Sequence, residues 1–219
     1  MGKRGYYNMT KFISLLSGGL DSPVAAYLMI KKGFQPIFLS FLTSDDNIHS
    51  MRNKLIRIIE KLSLYIPSQV KLYLIDHDSN LEFFKNYGER KLTCILCKRL
   101  MIRIAIHIAK NENTTILVTG DILGEQASQT LSNLYAYNDL AKEITIIRPL
   151  IGFNKNDVIQ LNRDMGLYEI CSQKSASCQF NPQYPETNAK LKEINGEEAK
   201  IDINNLITSS IKRSEILML

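Results

Sequence analysis

The chain has 219 residues, of which 45% are hydrophobic and 22% charged. That is an ordinary globular balance, which excludes a disordered chain and suits one α/β domain with a short appendage. A formal net charge of +5 is a modest surplus, as compatible with a cytosolic enzyme as with a nucleic-acid partner.

In chain order, short β-branched and aliphatic runs alternate with longer amphipathic stretches. A strand is expected at 12–16, then a glycine turn and a helix over 22–32 that stops at Gly33. Further strands are expected at 36–41, 70–75, 115–119 and 144–148, and further helices at 50–64, 98–110, 125–137 and 155–165. The alternation predicts an open parallel sheet of about five strands with helices on both faces. Residues 171–188 (CSQKSASCQFNPQYPETN) are polar, carry prolines and read as a loop. Beyond them, Leu191, Ile194, Ile201, Ile203, Leu206, Ile207 and Ile211 still need burial. The chain therefore divides into a domain over 1–185 and a helical extension over 186–219 that packs on the domain or on a partner subunit. No apolar run approaches the length of a membrane span. The basic start lacks a secretory cleavage site, so the expected location is cytoplasmic.

The most informative stretch is Ser17-Gly18-Gly19-Leu20-Asp21-Ser22, between a predicted strand and a predicted helix. That placement aims free backbone N–H groups and the positive helix end at a phosphate. Gly18 and Gly19 permit a tight turn and close approach, Ser17 and Ser22 add hydroxyls, and Pro23 sits harmlessly in the first helical turn. The loop has neither the Walker lysine nor G-x-G-x-x-G spacing. A carboxylate at Asp21 makes sense as a holder of Mg²⁺.

SGGLDS resembles the SGGxDS signature of PP-loop ATP pyrophosphatases, and SGGLDSPVAAYLMIKKG is similar to the tRNA 4-thiouridine synthase branch. A second block, TGDILGEQASQTLSNL (Thr119 to Leu134), resembles that branch's TGExxGQxxSQTLxN motif. A third, IIRPLIGFNKNDVIQLNRDMGLYEI, is similar to its RPL and D/N-K-x-x-I stretch. Asp121 stands in for a glutamate, Glu125-Gln126 for Gln-Val and Lys98 for an arginine. The resemblance implies a Rossmann-like PP-loop fold with ATP along the C-terminal strand edge. Leu15 and Leu16 would border the nucleotide, Ser40 and Phe41 would meet the adenosine, Gly120 would approach the ligand and Gln129 would bond to it. Lys98 would face the phosphates. Core packing is the competing reading for Leu15, Leu16 and Phe41, and a capped turn for Gly120 and Gln129.

The four cysteines are Cys94, Cys97, Cys171 and Cys178. In a reducing compartment such a set is more often metal-binding or catalytic than a disulfide framework. Cys94-x-x-Cys97 lies just before the predicted 98–110 helix, whose N-terminus would favour ionised thiols. Cys178, as a third ligand, would leave an open position. The arrangement resembles archaeal-type 4-thiouridine synthases, which hold an iron–sulfur cluster on a CxxC pair and a later cysteine. A structural zinc, a redox pair and ordinary buried cysteines are the alternatives. Cys171 has no assigned part, and His49, His77 and His107 read as surface or packing residues.

By resemblance the reaction is ATP-dependent thiolation of tRNA at uridine 8, with Asp21 and the three cysteines as catalytic residues. The sulfur donor is open. A 2-thiolating or small-molecule sulfur-inserting PP-loop enzyme and a non-catalytic ATP-binding module are the rival readings. About ten residues precede the first expected strand, where the family carries a THUMP region. The expected partners are therefore tRNA and either a separate THUMP-type protein or a second copy of the chain. The stretch with Lys98, Arg99 and Arg103 is expected to face nucleotide or tRNA, against the alternative of a solvated helix face.

Overall fold

The computed structural model describes residues 9–43, 48–173 and 178–219, so residues 174–177 of the expected 171–188 loop lie outside the described residues. Strand β1 (Lys11–Leu15) leads through the glycine turn into α1 (Asp21–Lys31), followed by β2 (Gln35–Leu42), α2 (Ile48–Ser63), β3 (Lys71–Asp76) and α3 (Asp78–Tyr87). Next come α4 (Thr93–Asn111), β4 (Ile116–Val118), α5 (Leu131–Tyr135), β5 (Thr145–Ile147), α6 (Lys155–Asp164) and α7 (Tyr168–Cys171). The chain finishes with α8 (Leu191–Glu198), α9 (Ile203–Lys212) and β6 (Glu215–Met218).

The sheet order is β5-β4-β1-β2-β3-β6, with the first five strands parallel and β6 antiparallel to β3. The chain builds outward from β1 to β3, then crosses back to lay β4 on the other side of β1. The order of the strands reverses there, which opens a crevice at the C-terminal ends of β1 and β4. Alternation along the strands feeds two cores. In β2, Ile37 and Leu39 join α4 on one face, while Phe38 and Leu42 join α1 and α2 on the other. Helix α1 buries Val24, Ala25, Ala26, Met29 and Ile30, and Gly33 ends it at φ +87°.

Three features depart from the sequence reading. The expected helix over 125–137 is broken at Thr130, which is extended at φ −68°, ψ 158°, and whose side chain caps α5 by accepting from the Asn133 amide. Helix α4 starts at Thr93, so Cys94 and Cys97 lie inside its first two turns rather than before it. Helix α3 and strand β6 were not expected; the four residues of β6 show too short an alternation to read alone, and pairing with β3 makes them a strand. Of the two expected arrangements, the C-terminal segment packs on its own domain: Ile194 is 0% and Ile201 8% exposed, and Ile203, Leu206, Ile207 and Ile211 pack against the α4 core, while Ile216 and Met218 of β6 stay 52% exposed. Among the described residues no helix is long and apolar enough to cross a membrane.

Arg99 corrects a further expectation. It is fully buried rather than turned toward nucleotide or tRNA, with its guanidinium on both oxygens of Asp139 (2.7 and 2.8 Å) and of Glu198 (2.9 and 2.8 Å). Arg103 joins it on Glu198 at 2.9 Å. Burial works against the Arg99 charge, yet the bonds to Asp139 and Glu198 hold its pKa above the ordinary value. The pairing ties α8 to α4. Arg99→Ala leaves Glu198 and Asp139 short of a partner and should lower stability by about 3–5 kcal/mol, read from urea unfolding. A loss below about 1 kcal/mol, as for an exposed ion pair, would contradict a structural part for this arginine.

Candidate active site

The loops after β1 and β4 meet at the reversal of the sheet. In the first, Ser22 Oγ accepts from the Ser17 amide at 2.8 Å and lies 3.0 Å from Ser17 Oγ, while the Gly19 amide donates to Ser17 Oγ at 3.3 Å. The first residue before α1, Leu20, gives no side-chain cap, so no side chain competes for the helix's leading N–H groups at that position. Gly18 runs close to α2: a Cβ there would sit 2.9 Å from Met51 Sδ and 3.2 Å from Lys54 Cδ, flexible side chains that would have to shift. In the second loop a Cβ on Gly120 would lie 2.7 Å from the Ser22 nitrogen and 2.8 Å from its Cα. No side chain fits between the two loops.

Beside that contact Asp121 is 1% exposed and gathers four partners. Lys98 Nζ lies at 2.6 Å, Thr119 Oγ1 at 2.7 Å, Arg148 Nε at 3.3 Å and Gln129 Nε2 at 3.5 Å. Burial works against its charge, but Lys98, Thr119 and Arg148 together hold the Asp121 carboxyl below the usual carboxylate range. Across the loop, Lys155 at the start of α6 pairs with Asp21 at 2.7 Å and with Glu125 at 3.4 Å. A cavity of about 180 Å³ opens over these groups, walled by Leu15, Leu16, Leu39, Phe41 and Met101 on its apolar side. Ser17, Asp21, Ser22, Lys98, Thr119, Gly120, Asp121, Gln126 and Gln129 form the rest. Gln129 Oε1 is buried without a partner among the described residues, an acceptor left for a ligand donor.

The thiols lie against the adjoining wall. Cys94 lines a second cavity of about 410 Å³ with Gln126, Ala127, Ser128, Asn181, Pro182 and Pro185, and Gln126 borders both cavities. Arg90 donates to the carbonyls of Phe180 (2.8 Å) and Asn181 (3.4 Å), which pins the stretch after Cys178 onto the start of α4. Burial raises the Cys94 thiol pKa, as does the neighbouring Cys178, against the pull of Arg90. Burial likewise raises Cys97, helped by Cys94 and Cys178. Desolvation, with the neighbouring thiols, works against the ionisation expected from the helix N-terminus at Cys94 and Cys97. Among the described residues no group of three His, Cys, Asp or Glu side chains is placed to hold a metal ion. The donor set fits a soft metal in kind; closing on one would take movement of these side chains and release of their protons.

Nine of the expected nucleotide residues come together in the first cavity: Leu15, Leu16, Ser17, Asp21, Ser22, Phe41, Lys98, Gly120 and Gln129. Gly18, Gly19 and Ser40 do not line it, and Ser40 turns away. Its side chain points to the opposite face from Phe41, and its hydroxyl donates to the Leu16 carbonyl at 2.8 Å, holding the entry to the phosphate loop. Cys171 lies 4% exposed in the core on the α1–α2 face, away from the α4 face that carries the CxxC pair, with burial pushing its thiol up to about 11. Arg148, Lys155 and the central part of Asp121 were missed, although all three sit in the quoted second and third motif blocks. His77 is 2% exposed, with Nε2 3.3 Å from Cys97 Sγ, and burial pushes its imidazole down to about 4.

A mostly parallel open sheet with an uncapped glycine loop at its reversal is the Rossmann-like architecture of the PP-loop class. Within that class the chain belongs to the thiamine biosynthesis protein (ThiI) family, whose model matches residues 8–203. It is 38% identical over 211 residues to a probable tRNA sulfurtransferase of Methanosarcina mazei, covering 95% of this chain and 52% of that one. The probable tRNA sulfurtransferase of Methanocaldococcus jannaschii is 35% identical over 193 residues, 88% of this chain and 50% of its own. The chain thus spans about half the length of these curated relatives. Among solved structures, a 4-thiouridine synthetase–RNA complex with bound ATP superposes with a TM-score of 0.90 at 27% identity, over 96% of this chain and 55% of that one. The U34-tRNA thiolase NcsA of Methanococcus maripaludis, solved with its 4Fe-4S cluster, shares the fold at a TM-score of 0.52 and 18% identity, over 94% of this chain and 71% of that one.

The Asp121 cluster has a pH signature. A carboxylate whose folded pKa is depressed adds stability that is complete above its unfolded pKa of 3.8 and is lost as the pH falls through the lower folded value. Asp121→Asn should lower the urea midpoint at neutral pH and flatten the native protein's loss of stability in the acid range below that pKa. An acid limb identical to the native one would show that the carboxylate gains nothing from Lys98 and Arg148.

Proposed function

We propose that the chain is the ATP-dependent, sulfur-transferring part of a tRNA uracil 4-sulfurtransferase, producing 4-thiouridine at position 8. The observation that carries this reading is the shared wall: the phosphate-loop cavity and the cavity of Cys94 meet at Gln126. A reaction that first activates a base oxygen and then delivers sulfur to the same carbon needs its two reagents side by side. The similarity to a 4-thiouridine synthetase with bound ATP, at a TM-score of 0.90, supports the 4-position over a 2-thiolation.

ATP lies with its phosphates on Ser17–Ser22 and its base against Phe41 and Met101, where Gln129 Oε1 offers an acceptor. Asp21 supplies a carboxylate to Mg²⁺ in competition with Lys155. The uridine O4 attacks the α-phosphorus and pyrophosphate leaves, with the loop amides and Lys98 offsetting the developing charge. A sulfur nucleophile then adds at C4 and AMP departs, because adenylation has turned a poor leaving oxygen into a good one. When bound, an iron–sulfur cluster held by Cys94, Cys97 and Cys178 supplies a carrier for the incoming sulfide. Arg90 keeps the Cys178 stretch against α4 for this purpose. A THUMP-type region or protein, or a second copy of the chain, supplies the grip on tRNA; the pairing of buried Arg99 and of Arg103 with Glu198 engages two cations elsewhere.

Two experiments test the reading. With tRNA, ATP, Mg²⁺ and a sulfide source, nucleoside mass spectrometry should detect 4-thiouridine, and Asp21→Ala should cut its formation by about 100-fold or more with unchanged circular dichroism. Normal thiolation by that variant would remove the phosphate loop from the chemistry. Anaerobic reconstitution with iron and sulfide should give iron–sulfur absorbance that disappears in Cys94→Ala, Cys97→Ala and Cys178→Ala and persists in Cys171→Ala. Stoichiometric zinc without iron would replace the cluster by a zinc site.

A further inference from the structure

A chain of polar side chains holds Cys97 from behind. Its Sγ lies 3.3 Å from His77 Nε2. On the far side of the ring, Nδ1 faces the Asn80 amide nitrogen at 3.2 Å, and the same nitrogen reaches the Ser210 hydroxyl at 2.9 Å. An amide NH₂ carries two hydrogens and accepts none, so Asn80 donates to both. Nδ1 is therefore an acceptor, the ring proton sits on Nε2, and that N–H points at the Cys97 sulfur. The chain is enclosed: His77 is 2%, Asn80 1% and Ser210 0% exposed, and Phe41 packs edge-on against the ring at 4.9 Å. Enclosing three polar side chains costs free energy unless each is satisfied. None of the three lines either cavity, so nucleotide binding does not account for them.

We infer that His77 is a positioning residue for the Cys97 sulfur, its Nε2–H fixing that sulfur in place so that Cys94 and Cys178 close with it on a soft metal centre. Asn80 and Ser210 set the tautomer. Because Ser210 comes from α9, the C-terminal segment supports the sulfur site and not the fold alone. Cys94 has no such tether, only Asn181 Oδ1 at 3.5 Å. Metal-bound sulfurs and imidazoles commonly depend on outer partners of this kind, at about 10- to 100-fold in metal affinity. The inference rests on reading the three cysteines as a metal site.

The test uses the full chain, metal-free and reduced, titrated with Cd²⁺ alone and followed by thiolate-to-cadmium charge-transfer absorbance. His77→Leu keeps bulk without a donor; His77→Gln keeps an N–H donor. His77→Leu should weaken Cd²⁺ binding about 10- to 100-fold while His77→Gln stays within about threefold of the native chain, with ATP affinity unchanged in both. Equal weakening in the two variants, no weakening in His77→Leu, or native Cd²⁺ affinity in Cys97→Ala overturns the inference. Nitrogen-15 NMR of the native imidazole, which needs no variant to fold, should show the Nε2–H tautomer with an exchange-protected proton; protonation at Nδ1 overturns it as well. Cadmium binding needs neither ATP nor RNA, so it can fail while thiolation stands, and thiolation can fail in Asp21→Ala while cadmium binding stands.

Discussion

Where β4 lies beside β1, with Ile13 opposite Leu117 and Ser14 opposite Val118, the two loops that follow must share one narrow space. A methyl group on Gly120 would press into the backbone of Ser22, so the close approach exists only because residue 120 has no side chain. Everything around the nucleotide cavity follows from this contact. It places Thr119 and Asp121 beside the phosphate loop, and Asp121 then draws in Lys98 from α4, Arg148 from the end of β5 and Gln129 from the turn before α5. On the other flank the loop at Gly18 runs against Met51 and Lys54 of α2, whose flexible side chains can yield where the Ser22 backbone cannot.

Around the proposed nucleotide site the cations are held in place by carboxylates. Lys98 and Arg148 are held on Asp121, and Lys155 on Asp21. Cations converging on an empty cavity would repel one another and search many rotamers; tethered to carboxylates they do neither. A phosphate group entering such a site meets oriented donors that need little rearrangement, which is the condition under which electrostatic stabilisation is most effective. The ion pairs at Arg99 are a different case: its guanidinium saturates two carboxylates inside the α4–α8 packing and offers nothing to solvent.

The contiguous parts of this design were legible in the sequence, and the parts made by long-range contact were not. The phosphate loop is six successive residues whose chemistry does not depend on distant ones, and the parallel sheet announces itself through alternation of strand and helix signals. Lys155 meets Asp21 across 134 positions and Asn80 meets Ser210 across 130, separations no local pattern encodes. Arg99 reads as one more cation on a helix until Glu198, 99 positions later, is placed beside it. His77 looked like a stray histidine because its partner, Cys97, is 20 positions away on another helix. The start of α4 was misplaced for a local reason: Leu92, preceding it, gives no side-chain cap to mark the boundary.

Enclosure explains how the two cavities divide the proposed chemistry. An activated base is open to attack by water as well as by sulfur, and water is far more abundant. The arrangement answers this through placement. Cys94 lies in a cavity that shares Gln126 with the phosphate-loop cavity, and Cys97 packs against His77 and Met101. Burial raises both thiol pKa values. A thiol that stays protonated when the site is empty is also a poor target for oxidation, since the thiolate is the reactive form. Ionisation then becomes a consequence of loading the site, because a soft metal displaces the protons that burial had retained. In the proposed reading, reactive sulfur stands beside the phosphate-loop cavity once the cysteines have been loaded.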